Sequence, residues 1–348
     1  MRRAIYSLAL LSPVILFLPA ASCHKTSLPF TQTGNWIQSA QIGSYPRSNA
    51  VSFVIGDFAY VGTGYNSQIS TTRLSDFWRF SVDSGWKQVE NMPGDPRSNA
   101  VGFSLGTHGY VGTGVGSDGR TVYNDFYQYD PSLNQWTQKR SFPGDPRMDA
   151  LGFGLQGKGY IGTGYSYIWL NDFYQYDEQS DTWALTIGTA GQFTKRRAAT
   201  SFIYKNKAYI VTGAGSGSLA KDFWSFDPSL PQPWTRLGDI ISDNTSAKDD
   251  QYIDIQRQYA VSFVNGDSAY LTLGENLGTG SVNSTWVYDF SHDQWAQRTA
   301  YHRQPRSGAV AFTISGRSFV GTGNSGGSAG ALDDFDEFVP YQPYNQND

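Results

Sequence analysis

Six arginines recur along the chain, at Arg47, Arg97, Arg147, Arg196, Arg257 and Arg306. A guanidinium donates paired hydrogen bonds from a rigid fork, which makes it the side chain best matched to a carboxylate. Six of them drawn round one axis would give a positive mouth suited to an anionic ligand. Aspartates recur as faithfully, at Asp76, Asp125, Asp172, Asp222 and Asp334. The alternative is therefore that each arginine pairs with an aspartate, within or between repeats, as structural ion pairs do. A different chemistry is offered where the repeat breaks. In the fifth copy, Leu271-Thr272-Leu273-Gly274-Glu275 replaces the Gly-Thr-Gly of its neighbours, and Glu275 could act there as a general base or hydroxyl acceptor. The segment leading into that copy, 237–256, is about twelve residues longer than its counterparts and holds Asp243, Asp249, Asp250 and Asp254. Their spacing fits no EF-hand calcium loop, and the segment reads as a solvated lid.

The elements that must position these groups are short strands. The arginines are spaced by 50, 50, 49, 61 and 49 residues, and a period near fifty built from strands and turns signals a propeller. In the second copy the strands fall at 100–105, 109–114, 125–129 and 136–138, with turn residues between them and a variable loop at 115–123. Their apolar residues run on without clean alternation, as expected for sheets buried on both faces. The first turn of each copy, Gly56-Asp57 or Asn265-Gly266 for instance, calls for positive φ. Trp36 stands 11 residues before Arg47, as Trp86, Trp136 and Trp295 stand before Arg97, Arg147 and Arg306. It thus ends a repeat that has no beginning, whereas the sixth copy passes Phe338 with no tryptophan. The expected fold is all-β: a six-bladed propeller over 35–340, its ring closed by the N-terminal strand around Trp36 completing the last blade, with a tail at 341–348. Closure removes the exposed edges and makes a monomer self-sufficient.

Residues 1–22 differ in kind. Arg2-Arg3 precedes an apolar run over 4–18, and Pro19-Ala20-Ala21-Ser22 leads to Cys23, the one cysteine of the chain. The run is too short for a spanning helix, and the pattern reads as a lipoprotein export signal with lipidation at Cys23 and a linker over 23–34. The alternative is an ordinary secretory signal. The expected location is the bacterial cell envelope, with the lipid as the membrane contact. Without residues 1–22, 24 basic residues face 30 acidic ones, and no basic tract exceeds Lys195-Arg196-Arg197, which gives no footprint for nucleic acid. His24, His108, His292 and His302 are scattered, and the glycines end strands in place of opening helices, so neither a metal nor another cofactor is expected.

The glycines Gly62 and Gly64, Gly112 and Gly114, Gly162 and Gly164, and Gly321 and Gly323 close the second strands. An aromatic residue then precedes the tryptophan by six to eight positions, as in Phe80 to Trp86, Tyr129 to Trp136 and Phe226 to Trp234. Over 35–340 this pattern resembles the kelch repeat family, with the departure that Thr63, Thr113, Thr163 and Thr322 separate glycines that are adjacent in kelch repeats. The resemblance implies four-stranded blades, and it implies ligand contacts from arginines that begin the innermost strands. Gly274-Glu275 also resembles the first half of a motif in N-acetylneuraminate epimerases, but Ser281 and its neighbours stand where that motif carries an arginine. Galactose oxidase is similar in fold, and its copper site needs a tyrosine–cysteine cross-link and histidines that this chain does not supply.

The loops between second and third strands, with the segments joining blades, should open on one face around the channel, where propellers bind ligands. These loops are rich in glycine, serine and tyrosine, a composition suited to adaptable recognition. Tyr65, Tyr165 and Trp169 join the arginines as expected ligand contacts, with Trp169 the largest exposed group. Taken together, the residues predict a non-enzymatic binding or scaffolding protein that recognises an anionic protein, peptide or glycan at the channel mouth. The alternative is a cofactor-independent sugar enzyme, an epimerase or mutarotase, using Glu275.

Overall fold

A computed structural model describes residues 33–70, 72–186, 193–241, 254–326 and 330–348. The export signal, Cys23, and Asp243, Asp249 and Asp250 lie outside the described residues. The described chain forms six four-stranded antiparallel sheets, the blades of a β-propeller. Blade one runs outward from Val51–Ile55 through Phe58–Gly62 and Phe77–Ser81 to Gly85–Val89. Blades two to five repeat this order, with inner strands at Val101–Leu105, Leu151–Leu155, Thr200–Tyr204 and Val261–Asn265. Blade six takes Val310–Ile314, Arg317–Gly321 and Phe335–Pro343 from the C-terminal end of the chain and its outermost strand, Thr33–Ser39, from the N-terminal end.

The closure follows the tryptophan offset. Trp36 pairs with Phe338 across the two strands and is fully buried. Its ring meets Tyr301 at 4.8 Å and Phe338 at 4.7 Å, while its indole N–H donates to the Thr299 carbonyl at 3.2 Å. The pairing extends beyond 340 to Pro343, and the Asn345 N–H donates to Asn35 Oδ1 at 3.0 Å. The core is a set of inter-blade layers. Phe53 stacks on Tyr60 of its own blade at 5.2 Å, and Tyr60 meets Tyr129 of the next blade at 5.4 Å. Trp136 covers Phe77 of the preceding blade at 4.8 Å. Both faces of every sheet are thus buried, which accounts for the unbroken apolar runs.

The six repeat arginines are pins inside the blades, and this corrects the expectation of a positive ring at the mouth. All are buried, at 0 to 1% exposure. Arg47 donates through Nη1 and Nη2 to Asp76 at 2.9 and 2.7 Å, to the Thr63 carbonyl at 3.1 Å, and through Nε to the Tyr45 carbonyl at 3.3 Å. Arg97, Arg147 and Arg306 grip Asp125, Asp172 and Asp334 through both Nη atoms in the same way, and Arg196 meets one Asp222 carboxylate oxygen and the Asp222 carbonyl. The arginine backbone serves the neighbouring blade: Gly64 N–H donates to the Arg97 carbonyl, and the series continues round to Gly323 N–H on the Arg47 carbonyl, both at 2.8 Å. Blade five has Ser284 in place of the aspartate, and Arg257 instead meets Ser284 Oγ at 2.6 Å and Asp254 Oδ1 at 3.4 Å. Asp254 is therefore part of a pin and not of a solvated lid.

These pins predict two outcomes. Arg97→Ala leaves Asp125 without its partner and should lower the unfolding free energy by about 3–5 kcal/mol; a loss in urea unfolding no larger than that of an exposed arginine would remove the pin from the account. For Asp76 and Asp222, burial pushes the carboxyl pKa up, but the arginine's charge and hydrogen bonds, with an indole N–H, outweigh it and leave both below the ordinary 3.8. A depressed carboxylate contributes stability that is present above 3.8 and lost as pH falls through the lower, folded-state value. The protein should therefore lose stability steeply below about pH 4, and Asp222→Asn should flatten that acid limb.

Candidate functional site

Two residues beyond each arginine the chain turns left-handed. Asn49, Asn99, Asp149, Ala198, Tyr259 and Gly308 have φ of 52°, 56°, 57°, 53°, 53° and 63°. Each donates its N–H to the carbonyl of its counterpart in the preceding blade, from Asn49 on Gly308 at 2.7 Å round to Gly308 on Tyr259 at 3.2 Å. The result is a closed collar of six backbone hydrogen bonds about the propeller axis. A positive φ is costly for residues such as alanine and tyrosine, and its presence in all six copies shows that it serves the ring. The collar leaves little room: a Cβ on Gly308 would lie 2.4 Å from Asn49 Oδ1. The left-handed turn also explains why the arginines point into the blades, since the chain reverses between the guanidinium and the axis.

The collar side chains break the sixfold repeat. Asp149 is buried, with 2% of its side chain exposed. It accepts hydrogen bonds from Asn99 Nδ2 at 2.6 Å and from the Tyr259 hydroxyl at 3.0 Å, with the Arg197 guanidinium at 3.9 Å. Burial raises its pKa; the Asn99 hydrogen bond, the Arg197 charge and the Tyr259 hydroxyl oppose this, and the charge of Glu275 adds to it. Burial and the Asp149 charge push the Tyr259 hydroxyl well above its ordinary value, which keeps it a neutral donor. Glu275 stands beside this group, accepting Gln258 Nε2 at 2.6 Å and Ser307 Oγ at 3.4 Å. Arg197 extends outward over the Tyr165 ring at 5.3 Å, and Tyr165 in turn meets Trp169 edge-on at 5.3 Å.

Two cavities follow the axis. One, of about 150 Å³, is bounded by the collar residues and by Ala50, Ala100, Ala150, Ala199, Ala260 and Ala309. The other, of about 400 Å³, continues between the inner strands. Small side chains line the bore because the strands crowd there: a Cβ on Gly102 would lie 2.8 Å from Val51 Cβ.

Of the expected ligand contacts, Tyr165 and Trp169 adjoin Arg197, and the catalytic candidate Glu275 stands close enough for its charge to act on the Asp149 that Arg197 approaches. Tyr65 lies half-buried beneath the Arg73 guanidinium, which is 4.3 Å from its ring. Trp169 is half-buried and not the most exposed group of its loop; Tyr167 and Ile168 at the tip are 76% and 55% exposed. Asp149, Tyr259, Asn99, Arg197 and Gln258 were not anticipated. Their signal was present in the two positions between each arginine and its invariant alanine, which read Ser-Asn, Ser-Asn, Met-Asp, Arg-Ala, Gln-Tyr and Ser-Gly. Among the described residues, no group of three or more histidine, cysteine, aspartate or glutamate side chains could hold a metal ion.

The chain is thus a six-bladed β-propeller whose titratable groups converge on one arc of its axial mouth. Among solved structures it is similar to that of YjhT, with a TM-score of 0.70 over 85% of this chain and 95% of that one, at 15% identity. This likeness shows the fold. No family model matches the chain, and no curated protein does.

The raised pKa of Asp149 fixes the sign of a pH effect. The folded state holds this proton more tightly than the unfolded state, so the stability contributed by the group is full below its ordinary 3.8 and is lost as pH rises through the folded value. Asp149→Asn removes that dependence. Relative to the parent, the variant should gain in urea midpoint between pH 4 and pH 8, and an offset independent of pH would contradict the assignment.

Proposed function

We propose that this protein is a non-enzymatic, kelch-type binding propeller of the cell envelope, tethered through Cys23, that seats a hydroxylated ligand, a glycan terminus in preference to an acidic peptide, at the axial mouth. One observation carries this reading. The blade three to blade five arc sets a carboxyl (Asp149), a phenol (Tyr259), a guanidinium (Arg197) and a second carboxyl (Glu275) among amides, while Gly308, Asn49 and Asn99 complete the collar without charge. Mixed donors and acceptors within a few ångströms, beside the aromatic pair Tyr165 and Trp169, match the hydroxyls and the apolar faces of a sugar ring. A ligand recognised by charge alone would be better served by the repeat arginines, and those are withdrawn into the blades. Arg197 remains able to meet one carboxylate of an acidic sugar.

The test is a thermal-shift screen against neutral sugars, uronic and sialic acids, and acidic peptides. A saccharide should stabilise the protein, and Glu275→Gln with Arg197→Ala should weaken its binding by about tenfold or more. Stabilisation by acidic peptides and by no saccharide would overturn the proposal.

The pairing of Asp149 with Glu275 favours a second reading, a cofactor-independent sugar epimerase or mutarotase. A carboxyl whose burial favours its protonated form, as at Asp149, can serve as the acid of a proton transfer with a neighbouring carboxyl as the base. In that case a bound sugar would show anomeric or epimeric exchange by NMR, and Glu275→Gln would slow it. Undiminished exchange in that variant would remove this reading.

A further inference from the structure

At the start of the third strand the blades share a second pattern, and blade one departs from it. The residue two positions beyond the pin aspartate is Tyr127 in blade two, Tyr174 in blade three, Trp224 in blade four and, in blade five, Trp286 beyond Ser284. In each case the blade's own leading segment or core covers that ring. Tyr127 is 8% exposed beneath Gly94, where a Cβ would lie 2.9 Å from it. Tyr174 meets Phe142 at 5.1 Å and Trp224 meets Phe193 at 5.9 Å. Trp286 is fully buried. Blade six replaces the aromatic with Asp336, which Arg303 and Tyr301 engage. In blade one Ile42, five residues before Arg47 as Phe142 is before Arg147 and Tyr301 before Arg306, takes the covering position, and Trp78 packs against the core on that side. Trp78 is half-buried, as Tyr174 is, and makes no ring contact among the described residues.

Beside Trp78, between the leading segments of blades one and two, is a cavity of about 630 Å³. Trp78 and Tyr45, the latter 58% exposed, present their rings to it. Pro46 and Pro96 form walls, and the exposed amides Gln88 and Asn91 line it, Gln88 Nε2 donating to Asn91 Oδ1 at 3.3 Å. The charges at its border are committed. Asp76 is held by Arg47, Ser44 and the Trp78 indole N–H, and Arg73 lies over Tyr65. What the groove offers a ligand is therefore aromatic faces and neutral amides.

We infer that this blade-one groove is a second binding site, separate from the axial mouth, for an uncharged oligosaccharide whose sugar rings lie against Trp78 and Tyr45 and whose hydroxyls meet Gln88 and Asn91. An anionic chain finds no available cation there. A polyproline-type peptide is disfavoured for a related reason: grooves of that kind hold peptide carbonyls with aromatic N–H or O–H donors, and the Trp78 indole N–H is already bonded to Asp76. The site does not rest on the reading of the mouth.

The experiment is titration of the protein with β-1,4-linked glucose and N-acetylglucosamine hexasaccharides, an oligogalacturonate and a proline-rich decapeptide, followed by calorimetry and tryptophan fluorescence. A neutral hexasaccharide should bind and perturb the emission. Tyr45→Ala and Asn91→Ala, both at exposed positions, should each weaken it by about tenfold, while Arg197→Ala leaves it unchanged within about twofold. Binding abolished by Arg197→Ala and untouched by Tyr45→Ala would place the sugar at the mouth and overturn the groove. Failure of both neutral hexasaccharides to bind, or preferential capture of the oligogalacturonate or the decapeptide, would overturn it too.

Discussion

The buried guanidinium of each blade is the interaction on which the rest of the structure depends. One side chain fastens four things: the aspartate that opens the third strand, the carbonyl of the glycine-flanked turn that closes the second, the carbonyl of its own leading segment and, through its own backbone carbonyl, a glycine N–H of the preceding blade. Burying an ion pair is not in itself stabilising, because desolvation offsets the Coulomb attraction. Its value here is geometric. Guanidinium, carboxylate and two carbonyls satisfy one another only when the four segments sit in one register, so the pin specifies the blade and its angle to the next. The collar of left-handed residues is the consequence nearest the axis.

Blade five shows how far that arrangement tolerates change. Its third strand has lost the aspartate, and burial leaves the Arg257 pKa lowered to about 10, with Asp254 the carboxylate that opposes the shift. Yet the hydrogen-bonding triad survives. In blade four Asp222 joins Arg196 to the Trp224 indole N–H at 2.7 Å; in blade five Asp254 joins Arg257 to the Trp286 indole N–H at 3.1 Å. The acid has moved from the third strand to the end of the elongated leading segment. Asp254, three residues before Arg257 as Ser44 is before Arg47, thus supplies a substitute carboxylate from the leading segment. The loop that follows Leu273 belongs to the same blade, and it carries Glu275 to the mouth.

The fold was legible because its signals are repeated or conspicuously missing. The arginine period gave the blade count, and a tryptophan with no preceding repeat gave the closing strand. The arginines were legible as to type but not direction. A residue at the head of an inner strand can face the bore or the blade, and the choice is made by the left-handed residue two positions later, which in three of six copies is not the glycine or asparagine that announces such a turn. The mouth was largely hidden for a related reason. Asp149 and Tyr259 are 110 residues apart, and they meet only because the ring has a radius small enough for blades three and five to touch across its collar. Glu275 could be picked out because it interrupts a strand ending; Asp149 could not, because aspartate resembles the asparagines that precede it in the series.

A propeller of this kind separates its tasks by position along each repeat. The buried arginine, the turn glycine and the collar backbone are the same in every blade, and they leave free the side chains of the two residues that follow each arginine. Those residues project at a place whose geometry is already determined by backbone hydrogen bonds, so their chemistry can vary without disturbing the ring. The same logic applies at the periphery, where Tyr45, Gln88 and Asn91 surround Trp78 and a cavity opens beside it in blade one. The adjoining inter-blade layers, each built from two blades, keep Trp78 anchored on one face while the other faces solvent. Both the proposed mouth and the proposed groove lie where the repeat is broken, the one at the side chains that follow the arginines and the other beside Trp78 at the periphery.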